Sequence, residues 1–288
     1  MSETTREERV WYSPAVRVLS VHLGIDPATI SGTGRDGRVT RNDMLTASIV
    51  GAHGHAPSPP SDDDVIPLSR IRRMTAENLT RTVRDVPMER VYMTADWTAL
   101  IATRAMMRVA FEAEHRVPLT YMPFILRGMV IAARTQPRVN SRWTAEGPTA
   151  LPALHLGVAV STDGGLQAPI IHHAEDWSLV GLARALHRVI TAARENRLTL
   201  ADIQGGTITV TNPGPFGTVR SAPIIPPGQS AILSVDSVRE IPVALDGALT
   251  IRSVATLGLT YDARLCDESG AVSFLTTLQI WLESGFYD

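Results

Sequence analysis

The chain has 288 residues, 44% of them hydrophobic and 19% charged, with a formal net charge of −2. That is enough for one large domain or two smaller ones around a sizeable core, and too little positive charge for a general nucleic-acid binder. A single cysteine, Cys266, excludes an internal disulfide and a cysteine-based zinc site. All 27 positive side chains are arginine. Schiff-base chemistry, a P-loop lysine and covalently carried biotin, lipoate or pyridoxal phosphate are therefore excluded. Met1 to Val10 is polar, without the apolar stretch of a signal peptide, and no apolar run of about 18 residues suggests a membrane span. The expectation is a cytoplasmic protein.

The first predicted helix starts with Ser13 as N-cap and Pro14 at the first helical position, and ends at Gly24. A glycine-rich loop, Ser31 to Val39, follows, and Thr40 caps a second short helix through Leu45. The loop lacks the GxGxxG pattern after a strand that phosphate binding needs, so its glycines read as backbone requirements. From Ala47 to Asp64 the chain is punctuated by Gly51, Gly54, Pro57, Pro59 and Pro60 and ends in Asp62, Asp63 and Asp64, which reads as a linker. Three consecutive aspartates cannot all face one ion in regular structure, so the run reads as a solvated linker end.

Beyond the linker, helices are predicted over 69–84, 98–115, 120–135, 178–196 and 270–283. Strands are predicted over 90–96, 155–161, 168–171, 207–212, 230–238 and 252–262, with a Gly/Pro-rich loop before the 230–238 strand. Mixed helix and strand over about 220 residues fits one α+β or α/β domain.

Two segments carry a resemblance. SPAVRVLSVHLGIDPATISGTGRDGRVTRNDML over 13–45 resembles the peripheral-subunit-binding domain of 2-oxo acid dehydrogenase complexes. The motifs IPLSRIRRMTAENL, LTYMPFILRGMVIAA, LGVAVSTDGGLQAPII, LTLADIQGGTITVTNPGPFG and PIIPPGQSAILSVDSVRE are similar to the catalytic domain of the dihydrolipoamide acyltransferases of those complexes. The resemblance implies an α+β sandwich, chloramphenicol-acetyltransferase-like, over 65–288. A small all-helical domain over 11–46 precedes it, with a polar tail over 1–10 and a linker over 47–64. It also implies trimers or larger multiples of three, with sites completed between subunits. The lipoyl domain usual in such chains is not matched, and no lysine exists to be lipoylated.

The family chemistry is acyl exchange between coenzyme A and a thiol. A histidine acts as base in an Asp-His-Arg-x-x-Asp-Gly motif, and a hydroxyl donates a hydrogen bond to the oxyanion. The resemblance puts Thr211 at the hydroxyl position, while the base position is Ala263, in Asp262-Ala263-Arg264-Leu265-Cys266-Asp267-Glu268. Asp262 and Arg264 are expected to hold the loop through ion pairs. Asp267 reads either as a catalytic acid or as a helix N-terminal acid, and Glu268 as a substitute base. His155, His172, His173 and His187 read as structural or exposed more readily than catalytic, and Cys266 as a small buried residue. The resemblance also implies that Arg35, Arg38 and Arg41 dock an acidic surface of a dihydrolipoamide dehydrogenase-like partner.

Two functions stand side by side. One is a CoA-dependent acyltransferase using acyl-CoA as substrate, with no covalently bound cofactor. It would act on a small-molecule or carrier-bound acceptor, including the tetronate-type hydroxyls that relatives in natural-product (antibiotic) pathways acetylate. The other is a catalytically inactive trimeric scaffold that recruits dehydrogenase partners. Intact donor-side motifs favour the first and Ala263 the second.

Overall fold

A computed structural model of the chain describes residues 12–51, 67–162, 165–245 and 247–287, and the chain divides into two compact units at Pro67 and Leu68. The expected tail over 1–10 and the greater part of the expected linker, Asp62 to Asp64 included, lie outside the described residues.

In the first unit, α1 (Pro14–Leu23) begins where the Ser13 hydroxyl accepts the Val16 N–H at 3.4 Å, and it ends at Gly24 in the left-handed region. The second helix, α2 (Arg41–Gly51), runs past the stop expected at Leu45 and takes in the start of the expected linker. No glycine or proline stands between Leu45 and Gly51 to break it. Asp43 fastens the intervening loop. Its carboxylate accepts from Thr33 N (3.0 Å) and Oγ1 (2.7 Å) and from Thr40 N (2.7 Å) and Oγ1 (2.9 Å). These donors, the Thr33 hydroxyl first, hold the Asp43 carboxyl well below the usual carboxylate range. A Cβ on Gly32 would lie 2.4 Å from the Gly37 carbonyl oxygen, so the loop closes backbone against backbone. Arg38 and Arg41 are exposed, and Arg35 lies in the short turn Arg35–Gly37.

The second unit runs α3 (Arg70–Asp85), β1 (Met88–Asp96), α4 (Thr98–His115), α5 (Met122–Thr135), β2 (Ser141–Thr144) and β3 (Gly147–Ala150). It continues through β4 (Leu156–Val158), β5 (Val160–Thr162), β6 (Gly165–Gln167), β7 (Ile170–Ile171), α6 (Leu179–Arg194) and α7 (Leu200–Ile203). The last elements are β8 (Ile208–Thr211), β9 (Ala231–Val235), β10 (Arg239–Leu245), β11 (Ala248–Asp262) and α8 (Glu268–Glu283). The main sheet has the order β1-β11-β9-β8-β4-β7, with β10 paired to β11. Pairs β8–β9 and β4–β8 are parallel and the rest antiparallel.

Alternate residues of the strands, such as Ile208 and Val210, Ala231, Leu233 and Val235, and Leu257, Leu259 and Tyr261, join one core with Leu100 of α4, Phe124 of α5, Leu186 of α6 and Phe274 of α8. A period of two puts those strand residues on one face, so the helices cover that face and the opposite one carries Thr209, Thr211, Ser234 and Thr260. This is the expected α+β sandwich. Among the described residues no helix is long and apolar enough to cross a membrane.

The helices α5 and α8 approach closely at Gly128. A Cβ on Gly128 would meet Leu278 Cδ1 and Trp281 Cδ1, each at 2.5 Å, while Trp281 Nε1 donates to the Phe124 carbonyl at 2.8 Å. Gly128→Ala is expected to lower unfolding free energy by about 1–2 kcal/mol, overpacking outweighing the helix propensity gained. The urea midpoint checks this, and a midpoint at or above that of the parent contradicts it.

Candidate active site

The short strand β8 sorts its residues by alternation. Ile208 and Val210 enter the core beneath the helices, and Thr209 and Thr211 face the other way. Thr209 Oγ1 donates to Gln229 Oε1 at 2.6 Å. Thr211, half-buried at the strand's end, lies opposite Ser234 of β9, which in turn lies opposite Gly258 of β11. Among the described residues no group hydrogen-bonds to the Thr211 hydroxyl, which leaves it free to donate.

The chain after Thr211 folds back over this end. Asn212 Oδ1 accepts the Gly214 N–H at 3.1 Å, and a Cβ on Gly214 would lie 2.9 Å from the Asp236 carbonyl. The buried Asp236 carboxylate accepts from Ser221 N (3.1 Å) and Oγ (2.5 Å). The Arg220 guanidinium lies 3.8 Å from the Tyr92 ring centroid.

At the far end of β11, Asp262 is 2% exposed, and its carboxylate accepts from Arg264 N (3.0 Å), Nε (2.9 Å) and the terminal guanidinium nitrogen (2.7 Å). Arg264 thus holds the turn as expected. Ala263 N donates to the Pro87 carbonyl at 3.0 Å, continuing the β1–β11 pairing one residue further. Asp267 is the N-cap of α8, its Oδ1 accepting from Gly270 N and Ser269 Oγ, both at 2.9 Å. Those bonds hold its carboxyl below the ordinary range, the Gly270 N–H first. Its geometry is that of the helix N-terminal acid, one of its two expected roles.

Glu268 opens α8 with an exposed side chain. Cys266 is 3% exposed, and burial, then the Asp267 charge, pushes its thiol up to about 11. Sequence reasoning missed Glu89, whose Oε2 accepts the buried Tyr261 hydroxyl at 2.7 Å beside this turn.

The register sets how these groups relate. His155 O accepts Thr207 N (2.8 Å), Thr207 O accepts Ser230 N (3.1 Å), and Ser230 O accepts Asp262 N (2.9 Å), one row of bonds across β4, β8, β9 and β11. Thr211 belongs to another row, with Ser234 and Gly258. From Gly258 to Ala263 is five residues, about 17 Å at 3.4 Å per residue. One chain therefore does not bring the Thr211 hydroxyl together with Ala263, Asp267 or Glu268. His155, in the lower row, is three strands from Asp262, about 14 Å at the usual spacing. It clusters with His172 and His173, and the exposed His187 sits on α6. These histidines do not occupy the place of an imidazole at 263.

Residues 60–285 match the 2-oxoacid dehydrogenases acyltransferase (catalytic domain) family, and residues 10–45 match the e3 binding domain. The chain belongs to the 2-oxoacid dehydrogenase acyltransferase family. As an acyltransferase of that family, it is 34% identical over 289 residues to the dihydrolipoyllysine-residue succinyltransferase component of the 2-oxoglutarate dehydrogenase complex of Pseudomonas aeruginosa, covering 94% of this chain and 70% of the relative. It is 30% identical to the acetyltransferase component of the acetoin cleaving system of Bacillus subtilis, over 96% of this chain and 70% of that one.

Among solved structures, a probable dihydrolipoamide acetyltransferase of Listeria monocytogenes superposes with a TM-score of 0.75 at 30% identity, over 77% of this chain and 95% of that one. The acetyltransferase of Azotobacter vinelandii, investigated for the catalytic roles of a serine, a histidine and an asparagine, superposes with a TM-score of 0.74 at 29% identity, over 80% of this chain and 97% of that one.

The acyltransferase's only cysteine tests the packing of the turn that carries Ala263. A raised thiol pKa and burial together are expected to slow labelling of Cys266 by a thiol reagent at least ~10²-fold relative to the denatured chain. Stopped labelling assays at neutral pH check this; equal native and denatured rates contradict the buried placement.

Proposed function

We propose that this chain transfers an acyl group, acetyl in the simplest case, between coenzyme A and a small-molecule or carrier-bound acceptor. Thr211 is the hydrogen-bond donor to the tetrahedral oxyanion. The observation that carries this reading is a free threonine hydroxyl at the end of β8, in a chain of acyltransferase family and fold. The acceptor sulfur or oxygen attacks the thioester carbonyl and the oxyanion draws the Thr211 O–H. Collapse then expels the coenzyme A thiolate, which takes up the proton the acceptor loses. One such donor is worth a few kcal/mol in a water-poor site.

Ala263 supplies no base. A thiol acceptor is partly ionised near neutral pH and an alcohol is not, so thiols are the acceptors this site handles unaided. Hydroxyl acceptors, of which a tetronate-type intermediate of antibiotic biosynthesis is one class, need a proton acceptor brought by the substrate or by Glu268. The separation of about 17 Å along the strands supports a trimer, or a multiple of three, in which Thr211 of one subunit faces the 262–268 turn of the next. Residues 10–45, with Arg38 and Arg41 exposed, then recruit a dehydrogenase partner with an acidic surface in the cytoplasm.

Ala263 specifically favours a second reading, an inactive trimeric scaffold. Acetyl-CoA assays with a dihydrolipoamide-type thiol separate the two. The enzyme reading expects Thr211→Ala to lower kcat by ~10²–10³ and Ala263→His to raise thiol transfer by ~10-fold or more. Absence of transfer in the parent and in Ala263→His, with folding intact, establishes the scaffold. Light scattering at micromolar concentration is expected to give a multiple of three subunits, and a monomer contradicts both readings.

A further inference from the structure

The turn that leads from β7 into α6 is built more tightly than a connector requires. It passes through His172, His173, Ala174, Glu175 and Asp176, with Ala174–Asp176 as one short helical turn. His173 sits in the left-handed region at φ 50°, ψ 49°, a conformation that only a few per cent of residues other than glycine adopt, histidine among the more frequent of them. Strain of this kind persists only where surrounding bonds over-determine it.

Three bonds do so here. His173 N donates to His155 Nδ1 at 3.0 Å, Ala174 N to the Leu154 carbonyl at 2.8 Å, and Leu154 N to Glu175 Oε2 at 2.9 Å. The other Glu175 oxygen is aimed at the His173 ring, Oε1 lying 3.4 Å from Nδ1. The exposed Asp176 carboxylate completes the group: the three donor atoms lie within 4.8 Å of one another, and since two ligands of one ion stand at most ~4.2 Å apart, Asp176 swings inward to bind.

The 3.4 Å separation is informative. A charge-assisted N–H···O bond closes to about 2.7–2.9 Å. Two donors bound to one tetrahedral ion, at about 2.0–2.1 Å each, stand about 3.4 Å apart. The oxygen that faces the ring is also preset, because its carboxylate partner atom is held by the Leu154 N–H, the outer-shell arrangement typical of metal-binding carboxylates. His172 and His155 flank the group, with ring centroids 4.9 Å apart, and the His155 and His173 centroids are 4.8 Å apart. His155 Nδ1 accepts the His173 N–H at 3.0 Å, which fixes the backbone that carries the His173 ring. The His173 side chain is 60% exposed, which leaves an ion open access from solvent.

We propose that His173, Glu175 and Asp176 form a divalent-cation site of zinc class, completed by water, that pins the turn before α6 to the start of β4. One imidazole and two carboxylates suit Zn²⁺, with Co²⁺ as a spectroscopic substitute. The site lies beside the lower row of the sheet, at the opposite end of β8 from Thr211. Its role is to fasten the fold, and it is separate from acyl transfer.

The test uses the untagged full-length chain titrated with CoCl₂, followed by the visible ligand-field absorption of bound Co²⁺ and by displacement with ZnCl₂. Saturable binding of one equivalent at micromolar metal is expected. His173→Asn, chosen because asparagine tolerates the left-handed backbone, and Glu175→Gln should each weaken it by at least tenfold. His187→Ala, on the exposed surface of α6, should leave it unchanged. Zn²⁺ should raise the melting temperature of the parent and not that of Asp176→Asn. No saturable binding, or binding undiminished in His173→Asn, overturns the proposal.

Discussion

The strand β11 is the constraint on which the second unit depends. Over Ala248–Asp262 it pairs with β1 on one edge and with β9 on the other, and its first half carries β10. Its inward residues Leu257, Leu259 and Tyr261 meet the helical layer, and its last residue anchors the turn that leads into α8. Apolar burial of this kind is the main stabilising term, but it is the hydrogen-bonded register that turns burial into positions. Because β9 runs antiparallel to β11 and parallel to β8, the C-terminal ends of β8 and β11 lie at opposite ends of the strands.

The chemistry follows from that geometry. A hydroxyl at one end of the strands and a turn at the other stand about 17 Å apart along them inside a single chain, however well each is built. Each is built well. Asp236 and Ser221 fold the loop back beside Thr211, and the pairing of Asp262 with Arg264 rigidifies the other end. A buried carboxylate with several donors is stable only as a complete set, since an unpaired charge at such a site is costly. The turn around Ala263 therefore keeps its architecture with no imidazole at that position.

Carboxylates that accept backbone N–H groups recur through the chain as the means of fixing loops. Asp43 does this between α1 and α2, Asp202 caps the short α7 by a reciprocal pairing with Thr199, Asp267 caps α8, and Glu175 holds the segment that leads into β4. Each spends its charge on the backbone, which lowers its basicity.

Much was legible in the residues alone. Ser13, Pro14 and Gly24 mark α1 because caps and helix breakers act within a few residues, and the long amphipathic or apolar segments became α3 to α6 and α8 for the same local reason. Thr211 was legible as a candidate from the motif around it, and Ala263 as a missing base from the register of its neighbours. The hairpins β2–β3 and β5–β6 and the strand β10 were not, since short strands with weak alternation form only when a partner is present. The division of the expected 155–161 strand into β4 and β5 is of that kind, Ala159 N turning to the Val210 carbonyl between them. The separation of Thr211 from the 262–268 turn and the meeting of His155 with His172 and His173 depend on residues distant in sequence. Local propensity carries no information about such pairings. They are decided by which strands lie side by side, and that is a property of the packed sheet.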